Sequence, residues 1–326
     1  MNKTLKIALN ILIFILIAGF GYYMVHSITS KEETILSDDE NSENTFVSPY
    51  KKTKSFNVAT NIGCFDVCEN AIYVVLEDQL SVFNLSGKHQ LDFAIKANVR
   101  DIVVEGTTIY LLYPTEIELY SINGQKQGSW EACSENSDYC SITTTQDYVF
   151  VTDAENKLIV QYDKEGQLVR FIKSPEGFII PSYAFDIMII NDTVYCVNSG
   201  RHRIESYTLD GEFIASFGMP GTQAGEFVGC CNPVYIAKTA NGNILTSEKG
   251  SPRISCYNRE GKFRSILFDT STLGGGTTAY EMKVLEENIF IANKKTVSIY
   301  VFDSKLSEKS CAGCNEDCPL RQDVKK

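Results

Sequence analysis

Short apolar runs recur along the chain, and each group of them ends in an aromatic residue followed by a turn. In six places the aromatic residue stands four positions before a glycine or, once, a serine. The copies repeat every 37 to 50 residues or thereabouts, a period that together with short strands is typical of a radial repeat. The aromatic positions are Phe83, Tyr120, Tyr162, Tyr207, Tyr257 and Tyr300, and the turn positions are Gly87, Gly124, Gly166, Gly211, Gly261 and Ser304.

Each copy contains further runs with strand character before its aromatic residue. The runs NAIYVV from Asn70, TTIYLL from Thr107 and DTVYCV from Asp192 are rich in β-branched and aromatic residues and follow polar or turn-forming residues. Shorter apolar runs, such as those at Ile102 and Ile187, precede them. A copy therefore reads as four antiparallel strands, and six copies predict an all-β, six-bladed β-propeller.

The sequence also predicts how the ring closes. The last copy has three strand-like runs, but the polar segment after it lacks alternation and supplies no fourth strand. The segment SFNVAT at residues 55–60, before the first blade, has the required pattern. We expect it to complete blade six, because this arrangement joins the two ends and hides two sheet edges.

Three copies carry a family resemblance. The phrases VNSGRHRIESYTLDGEFIASFG from Val197 and SEKGSPRISCYNREGKFRSI from Ser247 resemble the NHL repeat, and the phrase from Val151 fits with Lys157 in place of arginine. Blades one, two and six lack the Asp/Asn-to-Arg element. The resemblance to NHL-repeat proteins and related bacterial propellers covers most of residues 55–305, at the level of the fold. It also implies a binding platform more often than a metal-dependent or hydrolytic protein.

The N-terminal region predicts a membrane anchor. Residues 7–25 are almost wholly apolar, and at about 1.5 Å per residue they are long enough to cross a hydrocarbon core of about 30 Å. Lys3 and Lys6 precede this segment, which predicts a cytoplasmic N-terminus at residues 1–6 and an extracytoplasmic (periplasmic or extracellular) propeller. Residues 26–54 read as a flexible tether. The alternative is a cleaved signal peptide.

The charge balance bears on the class of partner. The chain has 41 acidic and 30 basic residues, a net charge of -11, and no basic stripe. Nucleic acid is therefore excluded as a partner, because its binding depends on neutralising phosphates. The membrane, through the N-terminal helix, and another protein remain as expected partners.

Eleven cysteines are the main chemical signal. In an extracytoplasmic protein they indicate disulfides, and Cys133 and Cys140, in one polar insertion, are the candidate pair. Cys196 and Cys256 lie within strand runs and are expected to be buried core residues.

The C-terminal tail at residues 306–326 contains a different arrangement of cysteines. Cys311, Cys314 and Cys318 follow a spacing that resembles the ferredoxin cluster run with one cysteine missing. Cys230 or Cys231, adjacent in a loop before blade five, is a candidate for the missing ligand of an iron–sulfur cluster or another thiolate-bound metal. Structural disulfides and a redox-active thiol pair are the alternatives. We expect the tail to leave from the face opposite these loop cysteines, so a shared site requires the tail to fold around the ring.

Other catalytic schemes have less support in the sequence. There are three histidines, and no Gly-x-Ser-x-Gly motif, phosphate-binding loop or dinucleotide fingerprint is present. Asp101 and Asp186 occupy the same place in their blades. We interpret them as acceptors of backbone N–H bonds rather than as a cation site.

Long insertions fall between blades, at 125–140, 172–183, 216–233 and 269–279, and are expected on one face with the mouth of the channel. Candidate partner contacts in them are Phe178, Ile179, Ile180, Met219 and Phe227; alternatively these residues cap the core.

The leading hypothesis is a membrane-tethered binding platform whose tail holds a metal or iron–sulfur centre for electron transfer. The alternative is a non-redox protein- or glycan-binding scaffold with structural disulfides, and a hydrolase or lyase is the third class.

Overall fold

The structure is a computed structural model that describes residues 46–306, and these residues form six four-stranded antiparallel sheets. Blade one consists of β2 (Cys64–Cys68), β3 (Ala71–Val75), β4 (Gln79–Asn84) and β5 (His89–Ala94). Blade two consists of β6 (Asp101–Glu105), β7 (Thr108–Tyr113), β8 (Glu116–Ser121) and β9 (Lys126–Glu131). Blade three consists of β10 (Tyr139–Thr144), β11 (Tyr148–Asp153), β12 (Leu158–Asp163) and β13 (Leu168–Ile172).

Blades four to six follow the same order, and a short helix lies between the last two. Blade four consists of β14 (Ile187–Ile190), β15 (Thr193–Asn198), β16 (Arg203–Thr208) and β17 (Phe213–Phe217), and blade five consists of β18 (Tyr235–Lys238), β19 (Ile244–Glu248), β20 (Arg253–Tyr257) and β21 (Phe263–Phe268). The helix is α1 (Thr270–Leu273). Blade six consists of β22 (Met282–Leu285), β23 (Asn288–Asn293), β24 (Thr296–Phe302) and the N-terminal strand β1 (Tyr50–Asn57). Two 3-10 turns, Pro181–Tyr183 and Ser199–Arg201, lie in loops.

The N-terminal strand closes the ring, as the sequence predicts. β1 pairs antiparallel with β24, and Phe56 lies opposite Val297. β1 begins at Tyr50, five residues before the predicted start at residue 55, so the end of the predicted tether belongs to the propeller. The innermost strands β2, β6, β10, β14, β18 and β22 contact one another in sequence, and β22 contacts β2. The six-bladed propeller is therefore closed.

Within residues 46–306 the hydrophobic core consists of six clusters, and each cluster lies between two adjacent blades. Between blades one and two, for example, Val75 and Leu80 pack with Ile109 and Leu111. The cluster between blades six and one joins Phe290 to Phe65. Because apolar residues on both faces of a blade are buried, the strands read as apolar runs rather than as strict alternation.

The turn glycines of the repeat are explained by contacts between blades. Gly166 has φ +84°, and a Cβ added there would lie 2.5 Å from the ring of Trp130 in the preceding blade. Gly124 has φ +81°, and its added Cβ would lie 2.7 Å from Phe93. Glycine is required at these turns because both the backbone conformation and the packing exclude a side chain.

The strand order defines two faces of the ring. Innermost strands begin at the face that carries the connections between blades, which we call the loop face. The opposite face carries the short turns after the innermost strands, and we call it the turn face. β1 begins and β24 ends at the turn face, because they are the outermost and third strands of their blade.

The predicted membrane span at residues 7–25 and almost all of the predicted tail lie outside the described residues. Within residues 46–306, no helix is long and apolar enough to cross a bilayer.

Candidate functional site

A cavity of about 220 Å³ opens at the loop-face mouth of the central channel. One residue near the start of each innermost strand lines it: Cys64, Asp101, Ser141, Asp186, Tyr235 and Glu281. Arg100, Cys140, Ser182, Tyr183 and Lys283 also line it. We call the ring of six residues the channel wall, and we call the loop residues around its opening the rim.

Carboxylates of the wall bind the backbone of neighbouring blades. Asp101 Oδ2 accepts the N–H of Ile142 at 2.9 Å, and Asp186 Oδ2 accepts the N–H of Ile236 at 2.7 Å. Glu281 Oε1 accepts the N–H of Phe65 at 3.4 Å across the closure of the ring. The interpretation of Asp101 and Asp186 as backbone acceptors is confirmed, and the bonds also connect one blade to the next.

Ser141 links two of these carboxyl groups. Its Oγ lies 2.7 Å from Asp101 Oδ2 and 2.7 Å from Asp186 Oδ1. A hydroxyl has one hydrogen to donate, so the second contact is satisfied when one carboxyl group is protonated. Burial, followed by the negative charge of Asp101, raises the pKa of Asp186 to about 6, which is consistent with this arrangement.

Lys283 lies beside Glu281 of the wall. Burial, together with the charges of Asp101 and Asp186, raises the pKa of Glu281 to about 8, although Lys283 opposes the shift. Lys283 Nζ lies 3.6 Å from Glu281 Oε1 and 3.8 Å from Asp101 Oδ1. Burial disfavours the ammonium, but the surrounding carboxylates outweigh it and raise the pKa of Lys283. The ammonium of Lys283 supplies positive charge among these acidic side chains. Within residues 46–306, no group of three or more His, Cys, Asp or Glu residues is arranged to hold a metal ion.

The rim presents an exposed aromatic ring in an uncommon backbone conformation. Ser182 and Tyr183 are consecutive residues with φ of 60° and 57°. Residues other than glycine rarely occupy this left-handed region. Tyr183 is 53 % exposed, and Arg100 Cζ lies 5.6 Å from its ring centroid, within cation–π range. Such backbone outliers cluster at ligand-binding sites.

The adjacent cysteines of the predicted metal site lie on the same rim. Cys230 Sγ and Cys231 Sγ are 3.2 Å apart, and Cys231 Sγ lies 4.0 Å from Ser182 Oγ. Their predicted partners Cys311, Cys314 and Cys318 lie outside the described residues. The chain leaves β24 at the turn face, as expected from the sequence, and this face is opposite to the one that carries Cys230 and Cys231.

Cys133 and Cys140 are thiols in the structure, and the predicted disulfide between them is not formed there. Cys133 packs against the cluster between blades two and three, whereas Cys140 packs against the cluster between blades three and four. Tyr139 stands between them and its hydroxyl donates to Cys133 Sγ at 3.6 Å. Cys196 and Cys256 are buried, as predicted.

The predicted partner-contact residues divide into two groups. Phe178 and Phe227 are 2 % and 0 % exposed and belong to the core, so they cap it, as in the alternative interpretation. Ile180 is partly buried against the same core. Ile179 and Met219 are 47 % and 58 % exposed on loop-face connections and are available to a partner.

Sequence reasoning missed Glu281, although a signal for it exists. The spacing from Glu281 to Ile289 equals the spacing from Asp101 to Ile109, which marks the same place in each repeat. Arg100 and Tyr183 carry no such signal, because they lie in connections that differ between blades.

Comparison with known proteins supports the fold. No family model and no curated protein matches the chain. A streptogramin B lyase structure matches with 13% identity and a TM-score of 0.59, covering 78% of this chain and 98% of that chain. A catalytically inactive histidine-to-alanine variant of virginiamycin B lyase from Staphylococcus aureus, with quinupristin, matches with 13% identity and a TM-score of 0.56, covering 78% and 100%.

A protein of unknown function from Bacteroides thetaiotaomicron matches with 11% identity and a TM-score of 0.58, covering 78% of this chain and 74% of that chain. Likenesses at this level of identity establish the six-bladed propeller fold, which is the fold that the resemblance to NHL repeats implies.

Proposed function

We propose that this protein is a membrane-tethered, extracytoplasmic binding propeller whose loop face binds another protein at the mouth of the channel. The observation that carries the proposal is a difference in exposure. The carboxyl groups of the wall are bonded to neighbouring blades, whereas the rim and its connections expose the large side chains of Ile179, Tyr183 and Met219. Tyr183 lines the cavity, and exposed aromatic and aliphatic side chains on one face are typical anchors of a protein interface.

The carboxyl groups of the cavity and the net charge of the chain favour a basic group on the partner. Asp101, Asp186 and Glu281 line the cavity beside the cations Arg100 and Lys283. Burial raises the pKa of Asp186 to about 6 and that of Glu281 to about 8, and a cation brought in by a partner stabilises the ionised form of both groups. The chain as a whole carries a net charge of -11, which attracts a basic partner over distance. We therefore expect a lysine or arginine side chain of the partner to enter the mouth.

Three synthetic peptides that differ only at a central Lys, Gln or Glu test this proposal. The full chain in detergent micelles is titrated with each peptide, and its unfolding temperature is measured, because a ligand that binds only the folded state raises it. The Lys peptide is expected to give the largest rise. Equal shifts for all three peptides, or none, contradict the proposal.

A matched pair of variants locates the binding. Tyr183→Ala is expected to abolish the response to the Lys peptide. Phe171→Ala is the control, since Phe171 is 46 % exposed on the outermost strand β13 and does not line the cavity. An equal loss in both variants assigns the binding to another surface.

A lyase activity is less supported than binding. The structural neighbours include lyases, and one of them is inactivated by replacing a histidine. In the described part of this chain, no histidine lines the cavity, and His202 lies in a loop where its Nε2 is 2.6 Å from Gly229 O. A different catalytic group is therefore required for any such reaction here.

The metal or iron–sulfur centre predicted for the tail is a second candidate function, for electron transfer. It rests on the spacing of Cys311, Cys314 and Cys318 in the sequence. Visible absorbance of the anaerobically purified protein, with iron and sulfide assays, tests it. A colourless protein without iron overturns the proposal of an iron–sulfur cluster.

A further inference from the structure

We propose that Cys230 and Cys231 form a redox-active vicinal dithiol, which exchanges electrons with disulfides of low molecular weight or of a partner at the rim. This activity goes beyond ligand binding and does not depend on it. The two sulfurs are 3.2 Å apart, so they are neighbours before any bond forms. Cys230 is exposed and Cys231 is 2 % exposed, so one thiol faces solvent and the other lies beneath it.

The loop that carries the pair is held in place by a buried amide. Asn232, which is 1 % exposed, donates from Nδ2 to Val228 O at 2.5 Å and to Lys249 O at 2.9 Å. Its Oδ1 accepts the N–H of Lys249 at 2.9 Å. These bonds hold the backbone of Lys249 close to the loop that carries the cysteines.

The environment of Cys231 favours its thiolate. Burial acts to raise the pKa of this thiol, but the Lys249 ammonium, which hydrogen-bonds the sulfur, and the thiol of Cys230 lower it. The contact between the two sulfurs, in turn, raises the pKa of Cys230. The groups that face Cys231 are therefore Lys249, Cys230 and the uncharged hydroxyl of Ser182.

Other cysteines near the cavity have the opposite character. Burial raises the pKa of Cys64 well above its usual range, and the charges of Glu281 and Asp101 add to the effect. Burial and the charge of Asp138 raise the pKa of Cys140 to about 12. These two thiols stay protonated, and a protonated thiol is a poor nucleophile. They serve as internal controls for the reactivity of the pair.

The exchange is balanced in two steps. The exposed Cys230 thiol loses its proton to solvent, and its sulfur attacks an external disulfide, which forms a mixed disulfide and releases one thiolate. Cys231 loses its proton to solvent, is stabilised as thiolate by Lys249, and attacks the Cys230 sulfur, which closes the vicinal disulfide and releases the second thiolate. Two thiols of the chain are oxidised and one external disulfide is reduced.

Exposure of the full chain to glutathione disulfide, followed by alkylation and peptide mass spectrometry, tests the proposal. The peptide with Cys230 and Cys231 is expected to lose two hydrogens without retaining glutathione. In Cys231→Ser the resolving thiol is missing, so a stable glutathione adduct on Cys230 is expected. A stable adduct in the unchanged chain, a disulfide from either residue to a tail cysteine, or a pair that stays reduced overturns the proposal.

A trivalent arsenical, phenylarsine oxide, provides a second readout that needs no oxidant. It binds two neighbouring thiols, so one equivalent is expected to bind at the pair and to protect both cysteines from alkylation. Binding is expected to be lost in Cys230→Ser and in Cys231→Ser. Retained binding in either variant, with the same unfolding temperature as the parent, places the reactive thiols elsewhere and contradicts the proposal.

Lys249→Met separates a charge effect from a structural one. The variant keeps the backbone bonds to Asn232 but removes the ammonium. Oxidation by glutathione disulfide is expected to be several-fold slower at neutral pH, and its pH profile is expected to move to higher pH while the unfolding temperature is unchanged. An unmoved pH profile shows that Lys249 does not stabilise the thiolate and overturns this part of the mechanism.

Discussion

The wall and the rim of the same cavity differ in what their side chains contact. In the wall, Asp101 and Asp186 direct their oxygens to the backbone of the next blade, and Ser141 bridges them. On the rim, Tyr183 is 53 % exposed in a left-handed conformation, and Cys230 is exposed beside the buried Cys231. The polar groups that stabilise the ring are thus different from the groups that are available for a partner.

This comparison separates stability from recognition. Buried carboxyl groups in a propeller channel resemble a ligand site, but here their hydrogen bonds join neighbouring blades. A substitution in the wall should therefore change stability first, and a substitution on the rim should change binding or reactivity with little effect on stability.

The largest expected effect is that of Asp186→Ala. This change removes the carboxyl group that contacts Ser141 Oγ and accepts the N–H groups of Ile187 and Ile236, and it leaves buried backbone donors unpaired. We expect the free energy of unfolding to fall by about 2–4 kcal/mol. Denaturant unfolding followed by the fluorescence of Trp130, the single tryptophan, measures it. Asp147→Ala, in the exposed turn between β10 and β11, is the control, and a similar loss there contradicts the assignment.

The next effect is that of Gly166→Ala at the repeat turn. The added methyl group meets Trp130 at 2.5 Å, and φ +84° is strained for alanine. We expect a loss of about 1–3 kcal/mol. Gly128→Ala is the matched control, because nothing lies within 4 Å of its added Cβ and its φ is not positive. Equal stability of the two variants would show that the turn glycines are not required for contacts between blades.

A smaller effect concerns the pH dependence of stability. The pKa of Glu281 is raised from 4.5 to about 8 in the folded state, so the folded state binds more protons than the unfolded state between these values. Stability from this group is present below about pH 4.5 and is lost as the pH rises to about 8. Asp186 acts in the same direction between about pH 4 and 6.

Glu281→Gln keeps an acceptor for the N–H of Phe65 but does not titrate. We therefore expect the decrease in unfolding free energy between pH 5 and 8 to become shallower, by an amount on the order of 1 kcal/mol or more over the range. Denaturation curves at several pH values measure the slope. The exposed Glu287→Gln is the control, and an unchanged slope in Glu281→Gln would show that the wall does not hold a protonated carboxyl group.

The smallest effect on stability is expected at the rim. Tyr183→Ala removes an exposed ring and its contact with Arg100, so the free energy of unfolding should change by no more than about 0.5 kcal/mol. Thermal unfolding of this variant beside Asp186→Ala compares rim and wall directly. A loss at Tyr183 as large as that at Asp186 would mean that the ring also supports the fold.

The sequence predicts the wall better than the rim for a physical reason. The aromatic-to-glycine period repeats because each turn packs on the preceding blade, and this period predicts the blades, the closure by β1 and the bonding role of Asp101. The same alignment of the repeats also identifies Glu281 as the residue equivalent to Asp101. Tyr183, Arg100 and Lys249 lie in or beside connections of irregular length, and their proximity to the channel depends on how those loops fold.

The burial of Phe178 and Phe227 has a similar origin. Both belong to insertions that read as exposed loops, but the loops fold back and use these rings to cover the ends of the clusters between blades. Local sequence does not distinguish an aromatic residue that caps a core from one that contacts a partner. The exposed neighbours Ile179 and Met219 have the same local signal.

Site-specific photo-crosslinking in intact cells tests most directly whether the loop-face mouth is the binding surface. A photoreactive amino acid replaces Tyr183 in one variant and Glu165, in the turn-face hairpin between β12 and β13, in the other. We expect a discrete crosslinked protein from position 183 and none from position 165. Crosslinking of that protein from position 165 alone, or from neither position, would contradict it.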